Sequence, residues 1–169
     1  MFRPGIFDSS GNIYGTTETG GVLSGCVAPL NGVAAAGCGL VYELSPRPSG
    51  EWALTLLHTF QPGMSGKGGT GGAGPVPGLA FDTSGNLYGT AASGGRTTSP
   101  FGVLFKLGPS SGAWTETVLH SFFGSTDGGT PYSGLTLSSG NFYGTASVGG
   151  ILSDCSPSSG CGVVFEITP

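Results

Sequence analysis

The chain has only two histidines, His58 and His120, and both lie in similar nine-residue segments that begin at Trp52 and Trp114. Histidine is the side chain that most readily transfers protons near neutral pH, so these two residues are the first candidates for acid–base chemistry. Catalysis would also need a nucleophile elbow or paired carboxylates, and the sequence shows neither. Because the histidines recur at one repeat position, we expect an architectural role, in which each bonds to a neighbouring backbone group.

Four cysteines are the second candidate for chemistry: Cys26 and Cys38 lie in one loop, and Cys155 and Cys161 in another. Zinc sites typically have tighter Cys-x2–4-Cys pairs, so a metal is disfavoured. Three disulfide pairings are open in principle. A related loop between these two contains no cysteine, which favours the pairs Cys26–Cys38 and Cys155–Cys161. Each bond would stabilise the fold by about 2–3 kcal/mol, and disulfides indicate an oxidising, extracellular compartment.

Two acidic turns, at residues 8–12 (Asp-Ser-Ser-Gly-Asn) and 82–86 (Asp-Thr-Ser-Gly-Asn), begin like a calcium-binding loop. They lack the further acidic ligands and the distal glutamate of such a loop, and Ser138 replaces the aspartate at the third related position. Asp can bond to the turn backbone, while Gly and Asn tolerate positive φ. We therefore predict hairpin turns at these positions, and the sequence predicts no metal and no cofactor.

All these residues belong to a sequence repeat that occurs three times. Its first block is Gly-Asn-x-Tyr-Gly-Thr, and its members include Gly11, Asn12 and Tyr14, then Gly85, Asn86 and Tyr88, then Gly140, Asn141 and Tyr143. A second block, at 39–46, 102–109 and 162–169, runs from a glycine to a proline with an aromatic residue in the middle. The third block, which contains Trp52 and His58 or Trp114 and His120, occurs twice. The repeated tyrosines could stack on sugars, but their regular position favours packing inside or between repeats.

The repeats also account for an unusual composition. The 169 residues include 35 glycines and 12 prolines. Glycine and proline together are thus about 28% of this chain, whereas they are roughly 12% of an average protein. Gly and Pro cost about 1 and 3 kcal/mol inside a helix, so helices are disfavoured. Each repeat instead shows four short stretches of strand-forming residues separated by turns. In the stretch from Val103 to Leu107, the alternation of side chains predicts a half-buried strand with Lys106 on a solvent-exposed face.

We therefore predict an all-β fold of tandem four-stranded antiparallel repeats, arranged like the blades of a propeller. The whole chain, 1–169, forms one array. Repeat 1 spans 5–62, repeat 2 spans 78–124 and an incomplete repeat 3 spans 134–169. A Gly-rich linker, 63–77, separates the first two repeats.

The charges are few and scattered, with 9 acidic and 5 basic residues and a net charge of −4. No basic stripe is available for nucleic acid, and no run of 18 apolar residues could span a membrane. The N-terminus lacks the apolar segment of a signal peptide. The expected partners are therefore further copies of the chain, further repeats, or glycans.

The combined motif, G-L-x-x-D-x-x-G-N-L-Y-G-T-x-x-x-G-G followed by G-V-V-F-E-L-x-P and W-T-E-T-V-L-H-S-F, resembles the bacterial GloVer-type tandem repeat. The resemblance covers nearly the whole chain. It implies a propeller-like array in secreted or surface-anchored proteins, without an assigned biochemical activity.

Two repeats contain four predicted strands, and the third contains three. Closed propellers have about 4 to 8 blades, and an exposed blade edge tends to recruit another strand. A fragment of a longer array, a ring closed by two chains and a head-to-tail filament all fit this count. We predict a non-enzymatic extracellular structural or adhesive protein that self-associates through its incomplete blade. A glycan-binding propeller and a polysaccharide-active propeller enzyme are the alternatives.

Overall fold

The computed structural model describes residues 5–22, 37–61, 70–96, 98, 100–151 and 160–168. These residues form three antiparallel β-sheets, and none of them lies in a helix. Each sheet corresponds to one sequence repeat, which confirms the predicted all-β, propeller-like fold. We call the sheets blades 1, 2 and 3.

Blade 1 consists of four strands that pair in chain order: β1 (Ile6–Phe7), β2 (Ile13–Thr17), β3 (Leu40–Pro46) and β4 (Trp52–Thr59). Tight turns join β1 to β2 and β3 to β4. Such a meander is the antiparallel arrangement that short connections allow.

Blade 2 consists of β5 (Ala73–Pro75), β6 (Ala80–Phe81), β7 (Leu87–Ser93), β8 (Val103–Ser110) and β9 (Ala113–Ser121). Its main order is β5-β7-β8-β9, and β6 also pairs with β7. Two short segments therefore share one edge of β7. The described part of the predicted linker, 70–77, thus contains a buried strand, so blade 2 begins earlier than the sequence boundary at residue 78.

Blade 3 repeats this arrangement with β10 (Gly129–Pro131), β11 (Thr136–Ser138), β12 (Asn141–Val148) and β13 (Val163–Ile167). The strands β10 and β11 both pair with one edge of β12, and β13 pairs with the other. Among the described residues, no strand pairs with the far edge of β13.

Blade 2 is buried on both of its faces because it lies between the other two. Val103, Phe105 and Leu107 pack toward blade 1, as their alternation predicts. The opposite face was predicted to be wet, and this was wrong: Leu104 is fully buried with Phe142 of blade 3. Lys106 lies on that face, with Nζ 5.7 Å from the centre of the Tyr88 ring. Alternation within one strand cannot reveal a second sheet that covers its polar side.

The contact between blades is built twice in the same way. The ring centres of Phe60 and Phe105 are 5.2 Å apart across the first junction. Those of Phe122 and Phe165 are also 5.2 Å apart across the second junction. In each case the phenylalanine that ends the third sequence block of one repeat packs against the aromatic residue in the middle of the second block of the next.

Backbone contacts at the junctions also repeat. Gly74 donates its N–H to the carbonyl of Cys38 at 2.9 Å, and Thr130 donates to the carbonyl of Phe101 at 2.6 Å. The accepting residue is in each case followed by a glycine with positive φ, Gly39 or Gly102. A Cβ on Gly102 would lie 2.8 Å from Cδ of Pro131. Close approach of the following blade therefore requires glycine here.

Candidate functional site

Both repeated histidines contact carboxylates. His58 Nε2 lies 3.4 Å from Oε2 of Glu116 in blade 2, and His120 Nε2 lies 3.1 Å from Oδ2 of Asp127. The sequence predicted a backbone partner for each, whereas the contacts among the described residues are with carboxylates. Glu116 reaches His58 because blade 2 packs on blade 1, and Asp127 reaches His120 from the connection between β9 and β10.

The two carboxylates occupy different positions of the repeat. Counting from the prolines of β5 and β10, Asp127 corresponds to Gly71. Beside His120 this position holds Asp127, and beside His58 it holds Gly71. A Cβ on Gly71 would collide with the Glu116 carboxylate. The absence of a side chain at Gly71 therefore leaves room for Glu116 of the next blade.

Burial governs the electrostatics of the first pair. It raises the pKa of Glu116 to about 7 and lowers the pKa of His58 below 6.5. Oε1 of Glu116 is buried without a hydrogen-bond partner. Both groups thus favour their neutral forms, and together they hold one proton in mildly acidic solution.

This pair could exchange a proton, and its described surroundings are largely apolar. The His58 ring packs edge-on against Phe60, with ring centres 4.7 Å apart. The described residues contain no group of three or more His, Cys, Asp or Glu that could hold a metal ion. The geometry is that of a polar contact joining two blades.

The two acidic turns have identical hydrogen bonds. Oδ1 of Asp82 accepts from the backbone N–H groups of Ser84 and Asn86, both at 2.9 Å. Oδ2 accepts from the Asn86 amide at 2.7 Å and from the Tyr88 hydroxyl at 3.1 Å. Asp8 makes the same four bonds in blade 1. The carboxylate oxygens are therefore occupied by donors of their own hairpin turn.

These bonds alter the acidity of the groups involved. Burial raises the pKa of Asp82, but the bonds from Asn86, Tyr88 and Ser84 outweigh it, and the net pKa lies below 3.8. Burial, followed by the bond to Asp82, raises the pKa of Tyr88 to about 12. The turn thus stabilises an ionised aspartate and a neutral tyrosine.

Blade 3 uses a different partner for the same side chains. Ser138 stands at the aspartate position, and the Asn141 amide and the Tyr143 hydroxyl both donate to Oε1 of Glu166, the latter at 3.0 Å. The turn here has two residues, Ser139 and Gly140, both with positive φ. This is the backbone pattern of a two-residue hairpin.

Two of the three repeated tyrosines lie between blades. The Tyr14 ring is 5.0 Å from that of Phe81 and 6.5 Å from that of Trp114, both in blade 2. Tyr88 stacks on Phe142 of blade 3 at 4.2 Å. Tyr143, on the outward side of blade 3, is only partly buried.

The cysteines of the two loops can be described only in part. Cys38 and Cys161 are both disulfide-bonded. Cys26 and Cys155 lie outside the described residues, so the pairs Cys26–Cys38 and Cys155–Cys161 stay predictions. Glycan binding by these loops also stays a prediction, because most of their residues lie outside the described ranges.

Two exposed surfaces, which the sequence reasoning missed, lie at opposite ends of the array. The blade 1 outer face consists of large apolar side chains on β1 and β4, with their exposed fractions: Phe7 (65%), Trp52 (50%), Leu54 (63%) and Leu56 (55%). The blade 3 outer face lies on β12 and β13 and consists of Tyr143, Thr145, Val164 and Glu166. Most of these residues have counterparts of similar type in the other blades, so the sequence held no clear signal for either surface.

Within the described ranges, the chain forms no helix with the length and apolar character needed to cross a bilayer. Comparison with protein families matches residues 2–169 to the Gloeobacter/Verrucomicrobia repeat. No curated protein and no solved structure matches the chain.

Proposed function

The chain belongs to the Gloeobacter/Verrucomicrobia repeat family, and we propose that it is a non-enzymatic extracellular structural protein that self-associates through blade 3. In this role the repeats supply a stiff array of stacked blades. Blade 3 supplies the surface on which another copy is added.

The observation that carries the proposal is that, among the described residues, no strand pairs with the far edge of β13. Its counterparts β3 and β8 are each paired along their length with a fourth strand, β4 or β9. Val41 and Leu104 on those counterparts are fully buried, whereas Val164 at the same repeat position is 77% exposed. Among the described residues, blade 3 thus exposes an apolar face and an unpaired strand edge, whereas the equivalent face and edge are covered in blades 1 and 2.

An exposed strand edge of this kind favours association. Its N–H and C=O groups can pair with another strand, and the β-branched residues of β13 have high strand propensity. Only Glu166 carries charge on this strand, so little charge opposes the approach of another copy.

Sedimentation velocity over a range of concentrations tests the proposal. We expect the chain to associate with increasing concentration, and Val164→Lys to remain monomeric because a lysine charge would be buried in the contact. Ser49→Lys, in the exposed turn between β3 and β4, is the control with the same change of charge. A wild-type chain that stays monomeric and folded, or a Val164→Lys variant that assembles like wild type, would overturn the proposal.

The extracellular part of the proposal is supported by the disulfide-bonded state of Cys38 and Cys161, since disulfides persist in oxidising compartments. Peptide mapping of the chain purified without reductant should yield linked peptides for Cys26–Cys38 and Cys155–Cys161. Four free thiols would contradict this part of the proposal.

A further inference from the structure

We infer that the blade 1 outer face is the docking site for the blade 3 outer face of a second copy, so that copies add head to tail. The inference rests on the proposed self-association and names the two surfaces that meet. It is argued from the junctions between blades, which occur twice within one chain.

The first step is the repeat position of the exposed residues. Phe7, Trp52 and Leu56 correspond to Phe81, Trp114 and Val118 of blade 2. In blade 2 these three residues pack against the core that blades 1 and 2 share. Blade 1 therefore exposes the side chains with which a blade of this type packs against the one before it.

The second step is the partner that such a face requires. In the first junction, Phe81 and Trp114 of the incoming blade pack around Tyr14. Tyr143 of blade 3 stands at the Tyr14 position and faces outward. By this equivalence, Tyr143 of one copy would contact Phe7 and Trp52 of the second copy.

The third step concerns the one position that differs. Blade 2 has Glu116 where blade 1 has Leu54, and the buried Glu116 carboxylate lies beside His58 of the preceding blade. The described residues of blade 3 present no histidine to a docking carboxylate. A glutamate docking on those residues would be buried without a histidine, and an uncompensated buried carboxylate is costly. An uncharged leucine at position 54 therefore suits blade 3 as the partner.

The fourth step is the size of the apolar surface. Four large side chains that are each at least half exposed lie together on one sheet face, and soluble monomers rarely expose such contiguous patches. Aromatic residues of this kind are enriched at protein interfaces. The opposite blade 3 outer face offers Val164 and the Tyr143 ring as apolar contacts.

Two variants with complementary defects test the inference. Trp52→Lys/Leu54→Lys removes the blade 1 outer face, and Val164→Lys removes the blade 3 outer face. We expect each variant alone to be monomeric, with self-association weakened at least about 100-fold. Mixed in equal amounts, they should form a dimer and nothing larger, because the mixture retains one intact pair of surfaces. The control is Ser49→Lys/Thr55→Lys, which has the same charge change and should assemble like wild type.

A second measurement does not depend on the lysine variants. In Trp114→Phe, the fluorescence comes from Trp52 alone, and its emission should move to shorter wavelength as the chain assembles. Val164→Lys/Trp114→Phe alone should keep the longer-wavelength emission at every concentration, because this chain lacks the surface that would cover Trp52. Emission that does not change during assembly would overturn the inference.

The outcomes separate the inference from the proposed function. If wild type assembles and Trp52→Lys/Leu54→Lys assembles equally well, the head-to-tail contact is wrong while self-association stands. If both variants are monomeric and their mixture also stays monomeric, the pairing of these two faces is wrong. If the wild-type chain is monomeric throughout, the proposed self-association fails and the inference with it. If the wild-type chain is monomeric but binds phosphatidylcholine vesicles through Trp52 and Leu54, the face is a membrane contact and both proposals fail.

Discussion

Nε2 of His58 lies 3.4 Å from Oε2 of Glu116, so the last strand of blade 1 contacts the last strand of blade 2 through two groups that each favour the neutral form. The unfolded chain has a His58 pKa near 6.5 and a Glu116 pKa near 4.5. Between those values the unfolded pair carries one proton, on histidine. The folded pair also favours one proton, on the Glu116 carboxyl, so the net stability should depend on pH in this range less than it would for either group alone.

Removing one partner should expose the pH dependence of the other. In Glu116→Gln, the unfolded chain protonates His58 below its ordinary pKa of 6.5, whereas burial lowers the pKa of His58 in the folded chain. The free energy of unfolding should therefore have a positive slope against pH below 6.5. Urea denaturation at a series of pH values measures this slope.

His58→Gln should show the opposite slope. Glu116 then keeps a folded pKa near 7 because burial causes its shift, whereas the unfolded chain ionises it above 4.5. The free energy of unfolding should fall as the pH rises from 4.5 toward 7 and level off above it. Two variants with the same slope would contradict the assignment of neutral forms.

Asp82→Ala should destabilise the hairpin between β6 and β7. The carboxylate accepts four hydrogen bonds from its own turn and from Tyr88, and its loss should cost about 1–3 kcal/mol. Ser138→Ala, at the same position of blade 3, is the matched control and should change stability by less than about 0.5 kcal/mol. In the wild type, the contribution of Asp82 should be complete above pH 3.8 and be lost as the pH falls further, because its folded pKa is lowered. Equal effects of the two substitutions would contradict this role.

Gly102→Ala should weaken the junction between blades 2 and 3. Gly102 and Gly112 have φ values of +97° and +87°, so alanine at either should cost about 1–2 kcal/mol in backbone strain. Only at Gly102 would the new methyl group also collide with Pro131 and the Ala91 carbonyl, which should add about 1–3 kcal/mol. Chemical denaturation of both variants separates the packing cost from the backbone cost. A Gly102→Ala variant no less stable than Gly112→Ala would show that the junction can adjust.

Thr130→Gly should stabilise the chain. Thr130 is β-branched and has a φ of +50°, whereas its counterpart Gly74 has a φ of +63°. Relief of strain should exceed the entropic cost of glycine and give a gain of about 1 kcal/mol, seen as a higher denaturation midpoint. The reciprocal Gly74→Thr should lower the midpoint. A loss of stability in Thr130→Gly would mean that contacts of the threonine side chain outweigh its backbone strain.

The sequence alone predicted the elements that depend on neighbouring residues. The turns at Asp8 and Asp82 follow from the local chemistry of Asp, Gly and Asn. The strands follow from short alternating segments bounded by glycine and proline. The pairing of β1 with β2 and of β3 with β4 follows from the tight turns that join them.

The sequence was less informative about elements that depend on a second sheet. The strand β5 lies in a Gly-rich segment with no alternation, and it forms because Gly74 bonds to Cys38 of blade 1 and Pro75 packs against Gly39. The wet face predicted around Lys106 is covered by blade 3. The residues that cover these two elements belong to blade 1 and blade 3, outside the short sequence segments on which the predictions were based.

The sequence by itself determined the three repeats, most of their strands and the hairpin turns that join them, because these depend on interactions over a few residues. Only the tertiary structure decided that His58 contacts Glu116, that Leu104 is buried and that Phe7, Trp52, Leu54 and Leu56 remain exposed. Residues at one repeat position have similar types, so the sequence cannot distinguish a middle blade from an outer one. The distinction arises from how many neighbouring blades cover each blade after folding, and this number decides which apolar side chains stay exposed.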